Sequence, residues 1–125
     1  ILFNLFCVAA GGALGASLRY GTSMIFRFFN PNLPLGTLAV NIIGSFIIGL
    51  LVSKLENKIS SEVFVRYFLI IGVLGSYTTF SSFSMEVIEL YNNNKLFFSL
   101  FYILISIISC IVAAYVGYNI NKMSF

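Results

Sequence analysis

Residues 63 to 90 read VFVRYFLIIGVLGSYTTFSSFSMEVIEL, two apolar flanks around a polar centre. In that centre, GSYTTFSSFS at 75 to 84, seven of ten side chains carry a hydroxyl and two others are phenylalanine. Gly75, Ser76 and the β-branched pair Thr78-Thr79 weaken a helix locally. A break here would free carbonyls that only protein or water can satisfy in mid-membrane, and unwound carbonyls of this kind are typical cation ligands in transport proteins. A continuous helix would instead carry a slight kink and hydroxyls bonded back to its own carbonyls. Propensity leaves both readings open.

The rest of the chain decides the solvent. Of 125 residues, 59% are hydrophobic and only 9% charged, and the mean hydropathy is +1.00. A soluble domain covers itself with about 25% charged residues, so lipid is the natural surroundings. Runs of about 20 apolar residues mark membrane helices, and four are predicted, at about 2–26, 35–52, 63–90 and 96–118. The first lacks a basic leading region and runs too long for a signal peptide. Pro31 and Pro34 separate the first two spans, KLENKISSE at 54 to 62 the next two, and NNNK at 92 to 95 the last two. Short connections predict antiparallel neighbours and a single all-α domain over 1–125. Lys54, Lys58, Arg66 and Lys122 fall on one side, Arg27 and Lys95 on the other with Arg19 deeper. That charge bias is weak and fits insertion in one orientation or in both.

Several functions are excluded early. The net charge of +3 includes no basic cluster, which argues against a nucleic-acid partner. With no His and no Asp, His-based metal sites, Ser-His-Asp triads and aspartyl nucleophiles are absent. Cys7 and Cys110 lie in apolar runs and read as small hydrophobes, without disulfide or zinc spacing.

Polar residues recur at helical spacing inside the spans. Thr37, Asn41 and Ser45 share a face of the second; Ser99, Tyr102, Ser106 and then Ser109 or Cys110 follow one on the fourth. In the third, Thr79, Phe83 and Glu86 share a face, as do Thr78 and Ser82. One such stripe is ordinarily helix-to-helix glue; three together can line a narrow polar path without a formal charge at its middle. Glu86 and Glu89 fall towards a span end and read as interfacial. Phe80 and Phe83, three apart, present rings whose edges are electropositive, a way to favour an anion without holding it too tightly for conduction. Arg19 either snorkels to the interface or lines an anion-attracting vestibule. Gly11 and Gly15 form a GxxxG pair suited to close helix packing.

GGALGASLRY at 11 to 20, PLGTLAVNIIGSFIIG at 34 to 49 and GVLGSYTTFSSFSMEV at 72 to 87 together resemble the three motif blocks of the Fluc/CrcB fluoride channels. The resemblance implies a passive fluoride exporter of the bacterial plasma membrane that relieves fluoride toxicity. It implies an antiparallel, dual-topology homodimer of four-helix subunits, with two pores at the interface and a third helix broken near mid-membrane. By the same resemblance, Gly75 and Thr78 offer backbone carbonyls to a central structural sodium ion. Phe80, Phe83 and Asn41 match pore positions, Thr37, Ser82, Tyr102 and Ser106 the polar track, and Arg19 the vestibule. The chain departs from the family in having Ser76-Tyr77 where Gly-Phe is frequent, and Cys110 stays outside the pore set.

A small proton-coupled multidrug exporter shares the four short helices but needs a carboxylate deep in a span, and the first two spans have none. A non-transporting membrane subunit would use the stripes to bind other helices. An enzyme would need a base or nucleophile that the sequence does not offer.

Overall fold

A computed structural model describes residues 1–56, 62–120 and 122–123. In chain order it contains α1 (Leu2–Phe29), α2 (Leu35–Glu56), a π-wound segment (Phe64–Leu74), the single turn α3 (Gly75–Tyr77), α4 (Phe80–Asn92) and α5 (Leu96–Ile120). With Phe64–Asn92 taken as one crossing, four helices are long and apolar enough to span a bilayer. The described residues are all-helical apart from short connections, as the hydropathy pattern predicts.

Helices α1, α2 and α5 run two to four residues past the ends expected at 26, 52 and 118. Arg27 and Lys54 occupy the last turns of α1 and α2, where a cation offsets the partial negative charge of the terminal carbonyls. The apolar count therefore stops before the helix does. Between α4 and α5, Asn94 adopts φ 59°, a left-handed conformation that asparagine tolerates. This lets Lys95 N–H donate to Leu90 O at 2.9 Å and close the end of α4. In the 54–62 connection, Lys58 and its neighbours lie outside the described residues.

Two close helix contacts hold the subunit together. A Cβ on Gly11 would lie 2.4 Å from Phe68 O, and one on Gly15 would lie 2.1 Å from Val73 O. The GxxxG face of α1 is thus seated directly on the backbone of the π-wound segment, leaving no room for any side chain. Likewise Gly49 of α2 faces Ala114 O and Gly117 of α5 faces Phe46 O, each at a distance a Cβ could not share. Backbone approach of this kind drives membrane helices together through dispersion rather than the hydrophobic effect.

The surface is correspondingly apolar. Phe3, Phe28, Leu104, Ile108 and Ile111 are all exposed, while the buried apolar set is short: Val40, Leu74, Tyr77, Phe83 and Tyr102. Thr37, Ser53, Ser99 and Ser106 are buried. Large apolar side chains outside and hydroxyls inside suit a lipid solvent, where outward apolar surface carries no penalty.

Candidate functional site

The chain leaves the helical path at two residues. Thr78 has φ −80° and ψ 155°, and Thr79 has φ −151° and ψ 122°. Both are extended, so the third crossing consists of a π-wound and α-turn half ending at Tyr77 and a separate helix starting at Phe80.

Side chains replace the hydrogen bonds that the helix gives up. Asn41 on α2 pairs its carboxamide with the Thr79 peptide on both sides. Its Oδ1 accepts from Thr79 N–H at 2.8 Å, and its Nδ2 donates to Thr79 O at 3.0 Å. Thr79 Oγ1 in turn accepts from Ser82 N–H at 3.2 Å, capping α4. In an unbroken helix these two N–H groups would serve the carbonyls of Gly75 and Thr78, four residues earlier. The Asn41 and Thr79 side chains take those donors, and the two carbonyls are released together. Gly44 makes room for the arrangement, since a Cβ there would lie 2.2 Å from Thr78 Cγ2.

Two cavities meet at this point. One, of about 620 Å³, opens at the end of the bundle that carries the α1–α2 and α4–α5 connections. Arg19, Arg27, Lys95, Glu86 and Glu89 line it, and Thr37, Thr79 and Ser82 form its inner part. Its three cations against two carboxylates leave it net positive. The second, a groove of about 440 Å³ with apolar walls, is lined by Asn41, Gly75, Thr78, Phe80, Phe83 and Ser106, together with Ser45 and Cys110. Thr79 borders both. The amino end of α4 lies between them, and its unpaired N–H groups carry the partial positive charge of a helix start.

Ring geometry distinguishes the two phenylalanines. Phe83 is buried and meets the Tyr102 ring edge-on at 5.2 Å. Phe80 lies 5.3 Å from Phe83 but is 75% exposed on the subunit surface. Ser106 is buried and lines the groove.

Glu86 has a place that its sequence position does not suggest. It accepts from Thr37 Oγ1 and from Tyr102 O–H, each at 2.6 Å. It thereby ties α2, α4 and α5 together at the inner part of the first cavity. Its shared face with Thr79 and Phe83 was readable from spacing; its partners on two other helices were not. The hydroxyl protons of Thr37 and Tyr102 are spent on this carboxylate. Of the residues singled out from sequence, Arg19, Thr37 and Ser82 line the first cavity, and Asn41, Gly75, Thr78, Phe80, Phe83 and Ser106 the second. Tyr102 supports both through Glu86 and Phe83.

Comparison with known proteins agrees with this architecture. The family model described as CrcB-like protein, Camphor Resistance (CrcB), matches residues 6–118. A protein of Agrobacterium fabrum called fluoride-specific ion channel FluC is 43% identical over 125 residues, covering 99% of this chain and 100% of that one. Proteins of the same name from Idiomarina loihiensis and Mesorhizobium japonicum are 43% and 39% identical, over 92% and 93% of this chain and 89% and 94% of their own. With its four membrane-spanning helices, this chain belongs to the CrcB family.

Proposed function

We propose that this protein is a fluoride-selective ion channel of the bacterial plasma membrane, exporting fluoride by passive electrodiffusion. The observation that carries the reading is the junction at Thr79, where a net-positive aqueous cavity meets a groove edged by Phe80 and Phe83. The full-length relatives named as fluoride-specific channels support the choice of ion.

The chemistry proceeds without a catalytic group. Arg19, Arg27 and Lys95 raise the local concentration of small anions in the vestibule. Ser82 and the amino end of α4 offer donors and a positive potential as the anion sheds water. The ring edges of Phe80 and Phe83 then favour it weakly, which suits conduction better than a full charge. Ser106 borders the same groove on the α5 side. Asn41 has one N–H left after pairing with Thr79, so its larger contribution is to hold the break open. Thr37 and Tyr102 hold Glu86 in place and, through it, the vestibule wall.

We further propose that the working unit is an antiparallel homodimer with two pores along its interface. Phe80, which is 75% exposed in one subunit, then gains a second wall. The released carbonyls of Gly75 and Thr78 fit a hard monovalent cation, since such ions take uncharged oxygen ligands at helix breaks. Two carbonyls from each of two subunits would hold a structural sodium ion, whose charge would fix the two broken helices against each other. Exchange of sodium for a bulky organic cation is expected to lower flux and dimer stability.

The mechanism is tested by fluoride efflux from proteoliposomes loaded with potassium fluoride, with valinomycin present and pH equal on both sides. Efflux should follow the electrochemical gradient alone. Efflux that requires an imposed proton gradient would contradict the channel reading and favour coupled transport through Glu86.

A further inference from the structure

The two carbonyls released at the break are held in different ways. Thr78 O belongs to the same planar peptide as Thr79 N–H, and Asn41 Oδ1 accepts from that N–H at 2.8 Å. Asn41 therefore fixes the direction of Thr78 O. Gly75 O has no such clamp. Gly75 carries no side chain, and its carbonyl belongs to α3, the single turn Gly75–Tyr77 between the π-wound segment and extended Thr78. Within that turn Tyr77 alone is buried. Its hydroxyl lies 3.2 Å from Thr22 Oγ1 on α1. Thr22 spends its one hydroxyl proton on Leu18 O at 2.9 Å, so Tyr77 O–H is the donor. On the other side the ring lies beside α2, where a Cβ on Gly44 would stand 3.6 Å from Tyr77 Cδ1. One side chain thus braces the turn between two helices.

We propose that Tyr77 is a positioning residue for the cation site, its bond to Thr22 fixing the turn that presents the Gly75 carbonyl. The proposal rests on the sodium reading above. A cation gains most from carbonyls already aimed at it, because ordering them on binding consumes affinity. Asn41 supplies that order for Thr78, and the Tyr77–Thr22 strut supplies it for Gly75. Neither Tyr77 nor Thr22 lines either cavity, so removing their bond acts on the cation site and leaves the walls of the anion path in place.

The test uses the full chain purified in detergent with N-methyl-D-glucamine as the only monovalent cation. Sodium is titrated in at constant ionic strength, and the thermal unfolding midpoint is recorded at each concentration. A ligand that binds only the folded protein raises that midpoint, and the concentration at which the rise sets in reports its affinity. Tyr77→Phe and Thr22→Val, which cut the bond from opposite sides, should each move that concentration up about three- to tenfold, the scale of one neutral hydrogen bond. The double variant should move it no further than either single one, because both remove the same interaction. A lower sodium-free midpoint with an unmoved sodium concentration would overturn the proposal and leave the bond as ordinary packing. Additive shifts in the double variant would overturn it too. Wild-type protein indifferent to sodium would instead overturn the sodium reading, and the positioning role with it.

Discussion

The two halves of the third crossing differ in almost every physical respect. Before Thr78, the π-wound Phe64–Leu74 segment is apolar except near its start at Arg66 and Tyr67, and its backbone is pressed against Gly11 and Gly15 of α1. After Thr79, α4 presents Ser82, Phe83 and Glu86 to cavities and to hydroxyls of α2 and α5. The first half is an anchor whose contacts tolerate no added atoms. The second is a wall whose side chains face space. The junction of two extended threonines lets one crossing do both, because it uncouples the helix direction needed for packing from that needed to line a path.

The contrast is most exposed to attack at its junction. Asn41→Leu removes the partner of both Thr79 N–H and Thr79 O, two part-buried groups; leaving a polar group unpaired costs up to about 1–3 kcal/mol. Large losses of thermal stability in detergent and of fluoride efflux are expected. A variant of wild-type stability would show that the break does not depend on this pairing. Next in size is Gly15→Leu, which drives a side chain into Val73 O. Overpacking costs about 1–3 kcal/mol or more, and the loss should appear as reduced folded yield.

On the wall side the effects separate function from stability. Phe80→Ile should cut fluoride efflux by at least tenfold while the melting temperature of the subunit stays close to wild type, because the ring is largely exposed. Phe83→Ile should lower both, since Phe83 packs on Tyr102. Equal stability losses in the two variants would erase the distinction between them. The smallest effect is expected for Tyr102→Phe. It removes one of the two hydroxyls on Glu86 and should cost about 1 kcal/mol, because Glu86 keeps Thr37 Oγ1 and borders the cavity. Thermal unfolding measures it.

Much of this was legible in the residues. Hydropathy alone located four spans, and spacing alone put Thr37 with Asn41, and Thr79 with Phe83 and Glu86, on common faces. Proline and asparagine runs marked the connections because their backbone constraints are local. What spacing does not reveal is which faces meet. The pairing of Asn41 with the Thr79 peptide joins residues 38 apart, and the Glu86 cluster joins three helices. Distance to the span end marked Glu86 as interfacial, but did not reveal its bonds to Thr37 and Tyr102. The π winding of Phe64–Leu74 also left no sequence mark: apart from Arg66 and Tyr67 its residues form an apolar run, and its conformation is apparent only in the structure. Cys110 was set aside as a small hydrophobe, while its exposure to the groove depends on where α5 lies against the broken crossing.

The reading of this junction as an anion path is tested most directly by the ratio of fluoride to chloride efflux from proteoliposomes containing only this chain. Fluoride should leave rapidly, with chloride retained over the same interval and no efflux from protein-free vesicles. Equal efflux of the two halides, or retention of both, would contradict the account.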